Sequence, residues 1–269
     1  MKLVRGMGLI LVAVWSLAPF AWLLITSVKP TPELTQLPPL LPSAATGAHY
    51  LAVFTGHPFL RIIANSAVVA AASTLLALAI GATAAFALAR LRVRHAPLIL
   101  VAVLAVSMFP PIATVSPLFL AINAVGLRDT LMALIVTYTT FALPLAIWLL
   151  TNFFRQVPVE IYLAARVDGC SAFQAFTRVI LPLSAPGLIA AALLVFIFCW
   201  NEFLYALSFT SSPAARTIPV GIALFPGLHV VPWGEIAAAS IVVTLPLVVL
   251  AFAFQRRIIE GLTAGAVKG

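Results

Sequence analysis

The sequence predicts an all-α integral membrane protein with six transmembrane helices. Three observations carry this. The 269 residues are 63% hydrophobic and only 8% charged, where an ordinary soluble domain carries roughly 25% charge. Fifteen Lys and Arg with seven Asp and Glu are too few to cover a water-soluble globule of this length. The apolar residues also gather in long uncharged runs, and a helix needs about 20 of them to cross the hydrocarbon core. A soluble enzyme, a disordered chain and a coiled coil are excluded.

The runs place the spans at about 7–28, 63–89, 97–124, 130–153, 180–207 and 236–255 of a single 1–269 domain. The first could pass for a signal peptide. At 22 residues its apolar run is long for that role and no clear cleavage site follows, so it reads as an uncleaved helix. In the second span, the Gly/Ala-rich stretch from Ala70 to Ala89, with Gly81, permits close helix packing. Asn65 and Ser66 at its outer start read as helix caps. Prolines interrupt the third span (Pro110, Pro111, Pro117), the fourth (Pro144) and the sixth (Pro246). Each frees a carbonyl that protein or water must satisfy. Such breaks line pathways in transporters, and prolines are also common in membrane helices; both readings stand on this feature alone. The uncharged window 217–234 holds Pro219, Pro226, Pro232 and three glycines, and reads as part of an external loop over 208–235.

Orientation follows from basic residues. With the N-terminus inside, Lys2, Arg5, Arg90, Arg92, Arg94, Arg155, Arg166, Arg178, Arg256, Arg257 and Lys268 are cytoplasmic, and only Lys29, Arg61, Arg128 and Arg216 are external. Both termini are expected in the cytoplasm. The net charge of +8 thus sets topology. No basic stripe with interleaved aromatics calls for nucleic acid, and membrane lipid is the expected surrounding. Cys170 and Cys199 cannot build a disulfide framework, since one is placed in the cytoplasm and the other inside a span. His49, His57, His95 and His229 fall outside or at the edges of the apolar runs, and no cluster has metal spacing.

The cytoplasmic loop over 155–179 is the most informative segment. Pro158 suits a first helical position, Asp168-Gly169 is a turn pair, and Ser171 with Gln174 three residues on is a capping-box pattern. The result is helix–turn–helix. Ile161, Leu163, Ala164, Val167, Phe173 and Phe176 make it too apolar to lie bare in water. Docking into a partner's groove and lying flat in the lipid headgroups both satisfy that.

The segment Ala164-Ala165-Arg-Val-Asp168-Gly169, followed by Ile180-Leu181-Pro182, resembles the coupling-loop signature of permease subunits in ATP-binding-cassette importers, on the carbohydrate branch and the maltose-type second permease. Further motifs run in matching order over about 250 residues: Ser27-Val-Lys29-Pro30, Asn65-Ser66, Ala84-Ala-Phe-Ala-Leu-Ala-Arg90, Gly126-Leu-Arg-Asp129-Thr130, Pro144-Leu-Ala-Ile-Trp148, Trp200-Asn201-Glu202-Phe203, and Gln255-Arg256-Arg257 ahead of a Gly261–Gly269 tail. In one place the pattern departs. The family's signature glutamate precedes the two alanines, and here that position is Leu163, with Glu160 the nearest acid. The ion pair that glutamate makes with the ATPase is not carried over, and Glu160 is a candidate substitute.

The resemblance implies a type I importer fold in a prokaryotic plasma membrane, a second homologous permease, two copies of a cytoplasmic ATPase and an extracytoplasmic solute-binding protein. This chain has no Gly-rich Lys-Ser/Thr phosphate loop, so it is expected to bind no cofactor, with ATP and Mg on the ATPase. The residues implied in ATPase coupling are Glu160, Ala164, Ala165, Asp168, Gly169, Ser171 and Phe173. Trp200, Asn201 and Glu202 are candidates for the substrate path or a gate. Glu202 is the only acid within an expected span, and intramembrane acids face polar interiors. A structural or gating role is favoured for it over sugar contact. By the resemblance, the external loop reaches the binding protein; a packed cap over the pore is a compatible role. A glycerol-phosphate permease is the nearest rival, although the expected spans contain no Lys or Arg. An intramembrane enzyme would need a histidine or metal cluster that the spans lack. A bare six-helix scaffold leaves the cytoplasmic signature unexplained.

Overall fold

The computed structural model describes residues 2–35, 40–225 and 231–263, in helices and short connections. In chain order the helices are α1 (Lys2–Val28), α2 (Thr31–Thr35), α3 (Ala48–Gly56), α4 (Phe59–Arg90), α5 (Ala96–Ser107), α6 (Pro111–Ala124), α7 (Leu131–Gln156), α8 (Val159–Val167) and α9 (Ala172–Ala175). A π-helical turn over Phe176–Ile180 leads into α10 (Leu181–Leu183). Then come α11 (Ala185–Trp200), α12 (Leu204–Phe209), α13 (Ile218–Ala223) and α14 (Trp233–Thr263).

Four stretches are single helices long and apolar enough to cross a bilayer: 5–28, 59–90, 131–156 and 233–255. Two more are bent pairs. The segment expected as one span over 97–124 is α5 and α6, meeting at 85°. Pro110 and Pro111 cause this, because a residue before proline is pushed out of the helical region and Pro110 has ψ 119°. The segment expected over 180–207 is also divided. The stretch 172–183 meets α11 at 80°, where Pro186 has no N–H with which to continue the preceding helix. After α11 the chain breaks again at 201–203 before α12.

The core is the α4–α7 pair with α11 laid across it. Small residues let α4 and α7 close up: a Cβ added to Gly81 would lie 3.1 Å from the Ala146 Cβ. Ser73 Oγ reaches across to the Ile135 carbonyl at 3.2 Å. By contrast α1 is exposed along nearly its whole length. Its last turn is anchored, with Ser27 hydrogen-bonded to Tyr50 at 2.8 Å and His49 to the Lys29 carbonyl at 2.8 Å. Lys29 is buried over the Trp22 ring. Elsewhere His57, stacked on Phe225, lies 3.2 Å from Glu235 in the first turn of α14.

Three expectations change. Pro144 and Pro246 interrupt no helix, lying inside α7 and α14, which continue through them. Asn65 and Ser66 do not cap their helix: α4 starts at Phe59, so they are buried inside it. The window 217–234 is not all loop, since it holds α13 and the start of α14 at Trp233. Pro226, the rest of 226–230, Lys268 and the tail over 264–269 lie outside the described residues.

Candidate docking segment and membrane cavity

The segment 159–180, expected on the cytoplasmic side, is a helix, a left-handed turn and a capped second helix. Pro158 precedes α8 as its N-cap. At the other end Gly169 has φ +88°, and two bonds close the turn: Gly169 N–H to the Arg166 carbonyl at 3.3 Å and Cys170 N–H to the Ala165 carbonyl at 3.0 Å. This is the Schellman pattern, which favours glycine. Arg166 Nη1 adds a bond to the Cys170 carbonyl at 2.8 Å. Ser171 and Gln174 then form both halves of a capping box, with bonds of 3.2 and 2.8 Å.

Side chains of this segment divide into two faces. Tyr162, Ala165, Ala175, Phe176 and Ile180 are buried against Phe86 of α4 and Leu150 and Phe154 of α7. Phe86 packs at ring distances of 5.9 Å to Tyr162 and 4.8 Å to Phe176. Arg90 donates to the carbonyls of Phe154, in the last turn of α7, and Val157, in the connection to α8. The other face is open. Val167 is 87% exposed, Phe173 68% and Leu163 53%. Glu160, Ala164, Asp168, Gly169 and Ser171 lie on the exposed side with them. The two adjacent alanines thus split, Ala164 outward and Ala165 inward. Phe176 needs no cover from outside.

A cavity of about 810 Å³ opens where the two bent segments meet. Leu104, Ser107, Phe109 and Pro111 line it from α5, α6 and the bend between them, Phe141 and Leu145 from α7, and Ile197, Phe198, the 201–203 break and the start of α12 complete it. The lining is mostly apolar, aromatic and aliphatic in equal measure, with Ser107, Asn201, Glu202 and Tyr205 as its polar groups. Asn201 is exposed toward it, its Nδ2 donating to the Ile197 carbonyl at 2.8 Å. Glu202 has a local duty. Its carboxylate accepts from the N–H groups of Tyr205 at 2.9 Å and Ala206 at 3.2 Å, satisfying the orphan donors at the start of α12. Trp200 is buried in the core and does not line the cavity. Tyr205 Oη meets Thr114 Oγ1 of α6 at 2.7 Å and its ring stacks on Phe141 at 4.7 Å. Among the described residues no three metal-ligating side chains come together.

Residues 77–263 match the family described as the binding-protein-dependent transport system inner membrane component. The chain belongs to this family. It is an inner-membrane permease subunit of the carbohydrate ABC importer group, a transporter component and not an enzyme. The permease is 47% identical to the trehalose transport system permease protein SugB of Mycobacterium tuberculosis, over 96% of this chain and 95% of that one. It is 43% identical to the trehalose/maltose transport system permease protein MalG of Thermococcus litoralis, over 97% and 95%. It is 42% identical to the sulfoquinovosyl glycerol transport system permease protein SmoH of Agrobacterium fabrum, over 100% and 94%. A chain from the crystal structure of a bacterial ABC transporter that imports the acidic polysaccharide alginate shares the fold, with TM-score 0.78 at 20% identity over 95% of each chain. Importer permeases of this kind work with a partner permease, an ATPase and a solute-binding protein.

Sequence reasoning missed the polar anchors of the permease's external segment. Asn65 Nδ2 donates to the carbonyls of Ala214 and Arg216, both at 2.9 Å. Ser66 Oγ accepts from the Ile218 N–H at 2.7 Å, and so serves the start of α13. Asp129, at φ +58°, accepts from Ser211 N–H at 2.8 Å and Ser212 N–H at 3.0 Å. Partial burial opposes its ionisation, but these amides outweigh that and hold its carboxyl down at about 2. Asn65-Ser66 and the Gly126–Thr130 motif with Asp129 stood out in the sequence only as parts of the resemblance, with nothing to say what they hold.

Proposed function

We propose that this permease imports a neutral sugar of disaccharide size. It pairs with a second, homologous permease, receives its solute from an extracytoplasmic binding protein and is driven by two copies of a cytoplasmic ATPase that bind ATP and Mg. The observation that carries the coupling half is the exposed apolar edge of Leu163, Val167 and Phe173 on a segment whose other face is stapled to α4 and α7. Such an edge suits a groove on a partner. Glu160, Ala164, Asp168, Gly169, Ser171 and Phe173 line the docking side. Ala165 acts from behind, by fixing α8 to the core. The ATPase favours one state of the permease pair when ATP closes it, and the solute favours the other; coupling rests on that difference.

For the substrate path, the cavity at the α5–α6 and α11–α12 breaks has the chemistry a sugar needs, with aromatic faces for C–H edges and Asn201 for hydroxyls. Its lining carries no Lys or Arg, which disfavours a phosphate ester. Glu202 shapes the path as a cap for α12, and Trp200 supports it from the core. Trehalose and maltose are the first solutes to try, because the two most identical of the relatives above carry those names.

The test is reconstitution of this chain in proteoliposomes with its partner permease, ATPase and binding protein. Radiolabelled trehalose or maltose is offered, with glycerol 3-phosphate as competitor. ATP-dependent sugar uptake indifferent to glycerol 3-phosphate is expected. Competition by the phosphate ester, or uptake without the ATPase, overturns the reading.

A further inference from the structure

We propose that α4 is a rigid strut carrying the external segment 211–223 and the cytoplasmic docking segment 159–180 as one body, with Asn65 and Ser66 as its outer positioning residues. This rests on the reading above, in which the outer segment faces the binding protein and the inner one the ATPase.

The outer attachment is polar and specific. Asn65 and Ser66 sit next to each other on α4 and engage three backbone groups between Ala214 and Ile218. Both side chains are buried, so each bond replaces water that cannot enter. Losing one partner strands a buried backbone group, which costs more than the bond itself contributed. Behind them α13 lies flush on the helix: a Cβ on Gly221 would come within 2.9 Å of Ile62. Asp129, from the α6–α7 connection, holds the far edge at Ser211 and Ser212.

The inner attachment is aromatic and cationic. Phe86 on the same helix seats Tyr162 and Phe176, and Arg90 holds the end of α7 where the docking segment begins. Asn65 and Phe86 are 21 positions apart, about 32 Å along a helix. α4 contains no proline, and α7 is locked along it at Ser73–Ile135 and at Gly81–Ala146. α5, α6 and α11 each meet a break instead. Movement imposed on segment 211–223 therefore reaches segment 159–180 undiminished through α4, while the bent helices absorb the change around the cavity. Both ends then bias one two-state element, as coupling between distant sites requires.

The experiment uses the full importer in proteoliposomes and measures ATPase rate against added, sugar-loaded binding protein. The variants are Asn65→Ala/Ser66→Ala and, as rescue, Ser66→Thr, which keeps the acceptor oxygen. The double variant is expected to keep its basal ATPase rate and lose about fivefold or more of the stimulated-to-basal ratio, the lower end of ordinary coupling strengths. Ser66→Thr is expected to keep the ratio. A double variant that assembles in normal amounts with a normal ratio overturns the strut. Should it fail to assemble, Asp129→Ala loosens the same segment from its outer edge and is read by the same ratio. A wild-type complex that shows no stimulation at all removes the underlying reading together with the strut; stimulation unchanged by the variants removes the strut alone.

Discussion

The permease's two ends are built on opposite plans. In the cytoplasmic segment, backbone groups are satisfied locally by the Gly169 turn and the Ser171 cap, and apolar side chains are left facing out. In the external segment, apolar Ile218, Val220 and Ala215 are buried, and the backbone is held by polar side chains from elsewhere in the chain. A segment that closes its own hydrogen bonds but exposes phenylalanine and valine is complete in shape and incomplete in burial. It is made to be covered. A segment that buries its apolar residues and borrows hydrogen bonds is already covered, and its position is dictated by what holds it.

The sharpest way to break this contrast is to put charge on the exposed edge. Phe173→Asp with Val167→Asp removes apolar surface that is mostly exposed, Phe173 keeping only a ring edge against Phe176 at 6.3 Å, so folding and insertion should persist. An anchor residue at an interface commonly contributes about 2 kcal/mol or more, about 30-fold in affinity. ATPase co-purification and sugar uptake should both fall by at least that factor. Retained co-purification would mean that the edge meets lipid headgroups. Gly169→Val is the next largest. A Cβ there meets nothing within 4 Å, so the cost is conformational, about 1–2 kcal/mol for a left-handed residue and more for a branched one. Uptake should drop about tenfold with the protein still inserted, and Gly169→Asn, which tolerates that region, should recover most of it. Normal uptake by the valine variant would argue against any dependence on the turn.

The same contrast explains what could be read in advance. The docking segment was legible because its determinants are local: Pro158, Gly169 and the Ser171–Gln174 pair act within a few residues of themselves. The apolar runs were legible for the same reason. Asn65 and Ser66 were misplaced because spans were bounded by charge. Arg61 cut the run short, yet it lies exposed on the first turn of α4, where a long basic side chain can reach the interface while its helix continues inward. Their partners lie 149 to 152 positions away, beyond any local pattern. The break at 201–203 carries no proline or glycine. Only the three-residue spacing from Glu202 to Tyr205 marked it, and that spacing signals a cap only once a second helix is known to start there.

Glu202 offers a smaller and sharper discrimination. If the carboxylate caps α12, Glu202→Ala should cost about 1 kcal/mol, the ordinary value of an N-terminal cap, seen as a modest fall in thermal stability. Glu202→Gln, which keeps an acceptor oxygen, should leave uptake and basal ATPase rate close to normal. Asn201→Ala should do the reverse, raising KM for sugar with little effect on stability. A raised KM in Glu202→Gln would return that side chain to the list of sugar contacts.

The smallest effect concerns Asp129, and its direction follows from its pKa. The carboxyl sits at about 2, below the ordinary carboxylate value of about 3.9. Its contribution is therefore fully present above the ordinary value and is lost as pH falls from about 4 through about 2. Between pH 7 and pH 5 the external segment should show no pH dependence from this source. Hydrogen exchange at the Ser211 and Ser212 amides is the direct readout, because those are the groups the carboxylate holds. Their protection should persist near pH 4 and fail as pH 2 is approached. In Asp129→Asn protection should be weaker at neutral pH and lack the acid step, since no charge remains to titrate. An acid step of equal size in wild type and variant would belong to another group and would remove Asp129 as the anchor of this edge, leaving the external segment held from the α4 side only.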